Sequence, residues 1–270
     1  MVIENQTKTH FIPVTQLKTY NVVNGQGEDL GQVQNFILDM CSTRIAYALV
    51  AFEGFLGLTD KWIPIPFKIL NWEREKSRFS LDVSRKGLEK APAISKSEWP
   101  DKFLEKLEMK DHSAWLETVY DYYDCEPYWV ERECDSCNKP ETAGKRQTHF
   151  IPTSRLKSYP VVDDRSDSVG DVERIIIDLY SGRVVYMLVG LKGHANGRWV
   201  AVPPDAMTWE TDTNDFRLDI SREVLATAPT IPKADWPNKF LADLEDEEHA
   251  QWVQDVYDYY EYRPFWIIVE

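Results

Sequence analysis

Three cysteines, Cys125, Cys134 and Cys137, fall within thirteen residues, and thiolates at that density suit either a metal ion or a redox pair. Cys134-x-x-Cys137 has metal-ligand spacing, but a structural zinc site needs four ligands and the chain holds no second Cys-x-x-Cys. His149 is the nearest candidate for a fourth ligand, yet its counterpart His10 recurs with no cysteine beside it. The three are read as thiols without assigned function. A redox-sensitive pair and a metal site are the alternatives.

Carboxylates come next. Asp39 and Asp82 recur as Asp178 and Asp219, and paired carboxylates do acid–base chemistry when their pKa values are driven apart. Each also stands where a strand should end, a place where Asp commonly accepts from turn amides, and that structural role is preferred. Arg44 and Arg183 then face them across hairpins as ion-pair or carbonyl partners. His112 and His249 precede helices ending in Tyr-Asp-Tyr-Tyr, outside any His-Glu-x-x-His, and are read as packing or capping residues. Gly25-x-Gly27-x-x-x-Gly31 misses the dinucleotide fingerprint by one residue, and Asp164 and Ser166 replace its first two glycines in the later copy, so it reads as a hairpin turn. Neither a Gly-x-Ser-x-Gly elbow nor a phosphate-binding Gly-Lys-Ser/Thr loop occurs. Sequence thus assigns no catalytic, cofactor-binding or metal-binding residue. A chain that is not an enzyme is the expectation.

These recurrences arise from a duplication. His10-Phe11-Ile12-Pro13 returns as His149-Phe150-Ile151-Pro152, and the match continues through Gly31/Gly170, Asp39/Asp178, Tyr47/Tyr186, Trp62/Trp199, Trp72/Trp209 and Trp99/Trp236, with about two aligned positions in five identical. A period near 140 residues makes each copy a domain-sized unit. The division expected is residues 1–130 for repeat one, 131–147 for a polar linker, and 148–270 for repeat two.

Within each copy, runs rich in β-branched and aromatic residues point to strands over Gly31–Met40 and Arg44–Phe52, then around Trp62–Pro66, Asn71–Arg74 and Arg78–Val83. Gly182 marks a tight hairpin that needs positive φ. Pro64 and Pro66 place their strand at an edge or bend. Ser84 and Ser221 are expected to N-cap short helices that end before Ala91 and Ala228. Trp99, Phe103, Leu104 and Leu107 form a helical stripe, repeated as Trp236, Phe240, Leu241 and Leu244. A second helix spans His112–Tyr123 and His249–Tyr260, with Trp115, Val119 and Tyr122 on one face. The Tyr-Asp-Tyr-Tyr segments are read as packing their own helices against the barrel, with a contact between copies or subunits as the alternative. Pro127–Val130 and Pro264–Ile267 are expected to be extended pieces that pair with a sheet edge.

The chain has 270 residues, 43% of them hydrophobic, and a formal charge of −14. Its halves, residues 1–139 and 140–270, carry −5 and −9, so the acidity is shared. That field repels phosphate, which argues against general nucleic-acid binding and against docking on anionic lipid. No apolar run of membrane-spanning length and no apolar N-terminal stretch occurs, and a cytoplasmic location is the expectation.

The block Leu30-Gly31-x-Val33 … Phe36-Ile37-Leu38-Asp39 … Ser42-Thr43-Arg44-Ile45 … Trp62-x-Pro64-Ile65-Pro66 resembles the PRC-barrel domain. Val169-Gly170-Asp171-Val172 … Ile175-Ile176-Ile177-Asp178 … Ser181-Gly182-Arg183 fits the pattern better still. The resemblance covers about 75 residues of each copy, and its motifs are mostly turn glycines and core positions. The family includes the cytoplasmic part of the photosynthetic reaction-centre H subunit and the C-terminal domain of a ribosome-maturation factor, both non-catalytic. It implies an α+β chain of two small antiparallel β-barrels related by internal duplication, each with a C-terminal helical extension. It also implies a cofactor-free binding or assembly module, with a protein partner or self-association as the interaction and the two copies packed as a pseudo-twofold pair. The alternative is a small-molecule sensor with a pocket between the repeats, or a redox or metal sensor built on Cys125, Cys134 and Cys137.

Overall fold

The computed structural model describes residues 5–6, 9–17, 19–52, 60–99, 101–108, 111–129, 149–156, 158–193, 197–244 and 247–268. The linker expected at 131–147, with Cys134 and Cys137, lies outside them. In chain order the first strands are β1 (Asn5–Gln6) and β2 (Phe11–Pro13), followed by β3 (Asn21–Val23), β4 (Asp29–Asp39), β5 (Arg44–Phe52), β6 (Lys61–Pro66), β7 (Leu70–Glu73) and β8 (Arg78–Leu81). Helix α1 (Arg85–Lys90), strand β9 (Ile94–Ser95) and helices α2 (Asp101–Glu108) and α3 (Asp111–Tyr122) complete the first copy. The second copy runs β10 (Phe150–Pro152), β11 (Tyr159–Val162), β12 (Ser168–Asp178), β13 (Val184–Leu191), β14 (Arg198–Val202), β15 (Met207–Glu210) and β16 (Asp215–Leu218). It ends with α4 (Arg222–Thr227), β17 (Thr230–Pro232), α5 (Asn238–Asp243), α6 (Glu247–Tyr259) and β18 (Ile267–Ile268).

The compact units of the fold cut across the sequence repeats. One is Leu17–Leu156; the other joins Met1–Gln16 to Lys157–Glu270. The two copies have exchanged their N-terminal segments: β10, which opens the second copy, pairs antiparallel with β4 of the first, and β2 pairs with β12.

In the Leu17–Leu156 unit the sheet runs β7-β8-β3-β4-β5-β6-β9, with β10 added to β4. Its pairs are antiparallel except β3 with β8, which are parallel. Among the described residues no pairing joins β7 to β9, so the sheet is an open path, where a closed, wholly antiparallel barrel was expected. The other unit repeats the order as β15-β16-β11-β12-β13-β14-β17, with β2 added to β12 and β11 parallel to β16. Pro64 and Pro66 pair with β5, while β9 reaches only Lys61 and Trp62, so among the described residues no strand pairs on the prolines' other side.

Strand β4 is buried at every residue from Phe36 to Asp39 because both faces of the sheet are covered. On one face Phe36 meets Phe67 and Phe79, with ring centroids about 6 Å apart. On the other, Ile37, Tyr47 and Leu49 pack with Phe103 and Leu107 of α2 and Leu116, Val119 and Tyr120 of α3. Two covered faces account for a continuous apolar run where a half-exposed strand would alternate.

Helix α3 is rotated from the expected register. Its buried residues are His112, Leu116, Val119 and Tyr120, while Tyr122 is 38% exposed and donates from its hydroxyl to the Gly87 carbonyl. Three of the other tyrosines act as staples between the helical layer and the sheet: Tyr120 donates to the Ala46 carbonyl at 2.6 Å, Tyr257 to Val185 at 2.7 Å and Tyr260 to Ala201 at 2.9 Å, whereas Tyr259 donates to the Val224 carbonyl of α4. Ser84 and Ser221 cap α1 and α4, accepting from the Gly87 and Val224 amides. Pro127–Trp129 and Pro264–Trp266 are not the extended edge pieces expected. Tyr128-Trp129 and Phe265-Trp266 are turns whose rings meet edge to face, and only Ile267–Ile268 pairs, with Asn5–Gln6.

The recurring Gly31 and Gly170 mark a close approach of backbones. A Cβ on Gly31, whose φ is 146°, would lie 2.1 Å from the Ala51 carbonyl oxygen, and one on Gly170 would lie 2.3 Å from that of Gly190. Both distances require β4–β5 and β12–β13 to separate. Gly31→Ala should therefore lower stability by about 2 kcal/mol or more in a denaturant titration. Gly25→Ala, whose Cβ meets nothing nearer than the Asp82 carboxylate at 3.7 Å, should change it by well under about 1 kcal/mol.

Candidate functional site

The site that recurs with the most shared chemistry is the junction where an exchanged segment joins a sheet. Strand β3 is short and pairs with β4 only over Asp29–Gln32, which leaves the N–H and C=O groups of its buried end, Ile37–Asp39, to find other partners. β10 supplies them, with Phe150 opposite Asp39, Ile151 opposite Leu38 and Pro152 opposite Ile37. The ladder continues one residue further, where the Met40 amide donates to the His149 carbonyl at 2.8 Å.

Asp39 pins this junction. Its carboxylate is fully buried; Oδ1 accepts from the Cys41 amide at 3.1 Å and the His149 amide at 3.4 Å, and Oδ2 from Ser42 Oγ at 2.6 Å and the Tyr128 hydroxyl at 2.9 Å. One side chain thus holds the hairpin turn, the incoming strand and the segment after α3. Burial first, and then the Asp39 charge, push the Tyr128 hydroxyl pKa well above its usual range, which keeps it a donor. Asp178 repeats the arrangement: Oδ1 accepts from the His10 amide at 2.8 Å and from Tyr180 at 3.3 Å, and Oδ2 from the amide and hydroxyl of Ser181. Phe265 stands where Tyr128 would, and the Arg183 guanidinium lies over its ring at 5.0 Å. Arg183 is therefore engaged by an aromatic face that the sequence did not single out.

Asp39 and Asp178 act as acceptors of turn and strand amides, the role expected of carboxylates at strand ends. Asp82 and Asp219 are exposed, beyond the ends of β8 and β16, and Asp219 accepts from Thr208. Gly27 has φ 81° in a turn where Asn24 Oδ1 accepts from the Gln26 and Glu28 amides, and its counterpart Ser166 has φ 64°. Gly182 takes the positive φ expected of it, and Thr43 adopts the same conformation at 52°. Cys125 is buried in the core beneath α3, with Tyr120 and Tyr128.

Phe150 carries the junction into the helical layer. Its ring sits 5.0 Å from that of His112, which also stacks on Trp115 at 5.1 Å, and the His112 Nε2 is 3.2 Å from the Tyr47 hydroxyl. In the other unit Phe11 lies against His249 and Trp266, with His249 Nε2 3.0 Å from the Tyr186 hydroxyl. Sequence reading gave these histidines a packing role but missed their tyrosines. The signal was the recurrence of Tyr47 with His112, 65 residues apart, and of Tyr186 with His249, 63 apart.

Burial lowers the His112 pKa to about 4, from an ordinary value of 6.5. The folded state therefore holds a neutral imidazole where the unfolded chain would take up a proton. This contribution to stability is complete above about pH 6.5 and is lost as pH falls toward 4, with a span of about 3 kcal/mol. Thermal melts of wild type and His112→Gln at intervals from pH 7 to pH 4 should show a shallower decline in Tm for the variant. Parallel declines would remove His112 from the account.

A family model for the PRC-barrel domain matches residues 10–88 and 149–225. None of the curated proteins compared with the chain matches it. Each matched segment opens on a His-Phe-Ile-Pro strand, so the family unit follows the sequence copy, although the first strand of each copy is built into the other sheet. With one match in each copy and more than half of its length covered, the chain belongs to the PRC-barrel domain family as a tandem pair.

Proposed function

We propose that the chain is a non-catalytic binding and assembly module that acts through protein–protein contact. The observation that carries this reading is the completion of both sheets by an added strand from another part of the sequence, a mode of association in which backbone pairing supplies affinity and side-chain pockets supply selectivity. The recurring polar residues support it, because Asp39, Asp178, His112 and His249 are all engaged in holding strands, turns and helices together. A PRC-type unit with a helical extension, doubled in one chain, presents two binding surfaces at high effective concentration. No helix among the described residues is long and apolar enough to cross a membrane, and the net charge of −14 suits a protein partner better than nucleic acid or anionic lipid. A cytoplasmic setting fits this reading.

The test is affinity purification of the full chain from its native cells followed by native mass spectrometry, alongside a thermal-shift screen of metabolites. The module reading expects a protein partner at fixed stoichiometry and no metabolite that stabilises the chain saturably. Saturable stabilisation by a small molecule, with no stoichiometric protein, would replace this reading with a sensor.

A further inference from the structure

The two exchanged segments share His-Phe-Ile-Pro but differ immediately after it: Thr153 and Ser154 follow Pro152, whereas Val14 and Thr15 follow Pro13. The sheets that receive them differ to match. In the Leu17–Leu156 unit Asn35 is 7% exposed and uses both ends of its amide on the incoming segment. Its Oδ1 accepts from Thr153 Oγ1 at 3.2 Å and from the Ser154 amide at 3.3 Å, and its Nδ2 donates to Ser154 Oγ at 2.6 Å. The repeat-equivalent residue in the other unit is Arg174, which has donors only. Its guanidinium is turned onto aromatic faces, 4.6 Å from the Trp236 ring and 5.1 Å from that of Trp199. The segment received there carries the apolar Val14, 2% exposed, in place of Thr153.

We infer that Asn35 is a specificity-determining residue that makes the β4 edge a docking site for an extended Phe-Ile-Pro-Thr-Ser segment, and so directs each copy's N-terminal segment to the opposite sheet. Backbone pairing cannot make this choice, because both segments present the same four residues to the same edge. The side chains that follow can. Residues 10–16 placed on β4 would set Val14 against Asn35, where it cannot donate to Oδ1 as the Thr153 hydroxyl does, although Thr15 would still offer an amide and a hydroxyl in place of those of Ser154. Residues 149–155 placed on β12 would give up the Thr153–Asn35 hydrogen bond, since Arg174 offers the hydroxyl no acceptor in its place. Both mismatches disfavour closure of each copy on itself, and both disappear on exchange, so selectivity comes from penalties on the wrong pairing as well as from contacts in the right one.

The test interchanges the two dipeptides in the full chain, combining Val14→Thr, Thr15→Ser, Thr153→Val and Ser154→Thr, which leaves composition unchanged. The inference predicts that the interchange redirects pairing, so that inter-strand nuclear Overhauser effects place Ile12 rather than Ile151 opposite Leu38. Retention of the Ile151–Leu38 pairing would overturn it. Should the interchanged chain fail to fold, double-mutant cycles on the unfolding equilibrium decide. Asn35→Ala and Ser154→Ala should be coupled by roughly three- to tenfold, whereas Asn35→Ala and Thr15→Ala should act independently. Coupling to Thr15, or none to Ser154, would refute the assignment.

Discussion

The structure depends on how the buried end of a long strand satisfies its backbone. β4 and β12 are each eleven residues long, while the neighbours β3 and β11 cover only their first part. The last three residues of each, Ile37–Asp39 and Ile176–Asp178, lie under both core layers, where an unpaired N–H or C=O is costly and water cannot serve. A three-residue Phe-Ile-Pro strand preceded by histidine meets that need, and its phenylalanine reaches into the helical layer. Once this strand is required, the buried aspartate, the aromatic rings around the histidine and the packing of the last helix follow as the means of holding it.

Much of the fold was legible because its causes are local. Hairpin glycines, serine caps and the Trp-x-x-x-Phe stripe each act within a few residues, and the comparison of two copies in one chain sharpened every one of them. The rotation of α3 was less legible: Trp115 and Tyr122 look as apolar as Leu116 and Tyr120, and only the partners of the hydroxyl groups separate the exposed tyrosine from the buried one. Exchange of the first strands left almost no trace, since two nearly identical segments fit two nearly identical edges. The discriminating positions, Asn35 and Arg174, differ between the copies and so fell outside a reading based on what recurs.

The junction changes what the duplication means. Two domains joined by a linker could be separated without loss, but a strand lent by each copy to the other makes each sheet incomplete without the rest of the chain. For a binding module this fixes two surfaces in one molecule. It also places the polar side chains that sequence alone would nominate for chemistry in structural work: Asp39 and Asp178 accept amides, and His112 stays neutral under an aromatic cover. Such a site is suited to holding an extended chain.

The central claim is the exchange itself, and the most direct measurement is the set of inter-strand nuclear Overhauser effects of the isotope-labelled full chain. The account predicts cross-peaks between Ile151 and Leu38 and between Ile12 and Ile177, the partners in the two junction ladders. Cross-peaks between Ile12 and Leu38, with Ile151 instead meeting Ile177, would show that each copy closes on its own first strand and would contradict it.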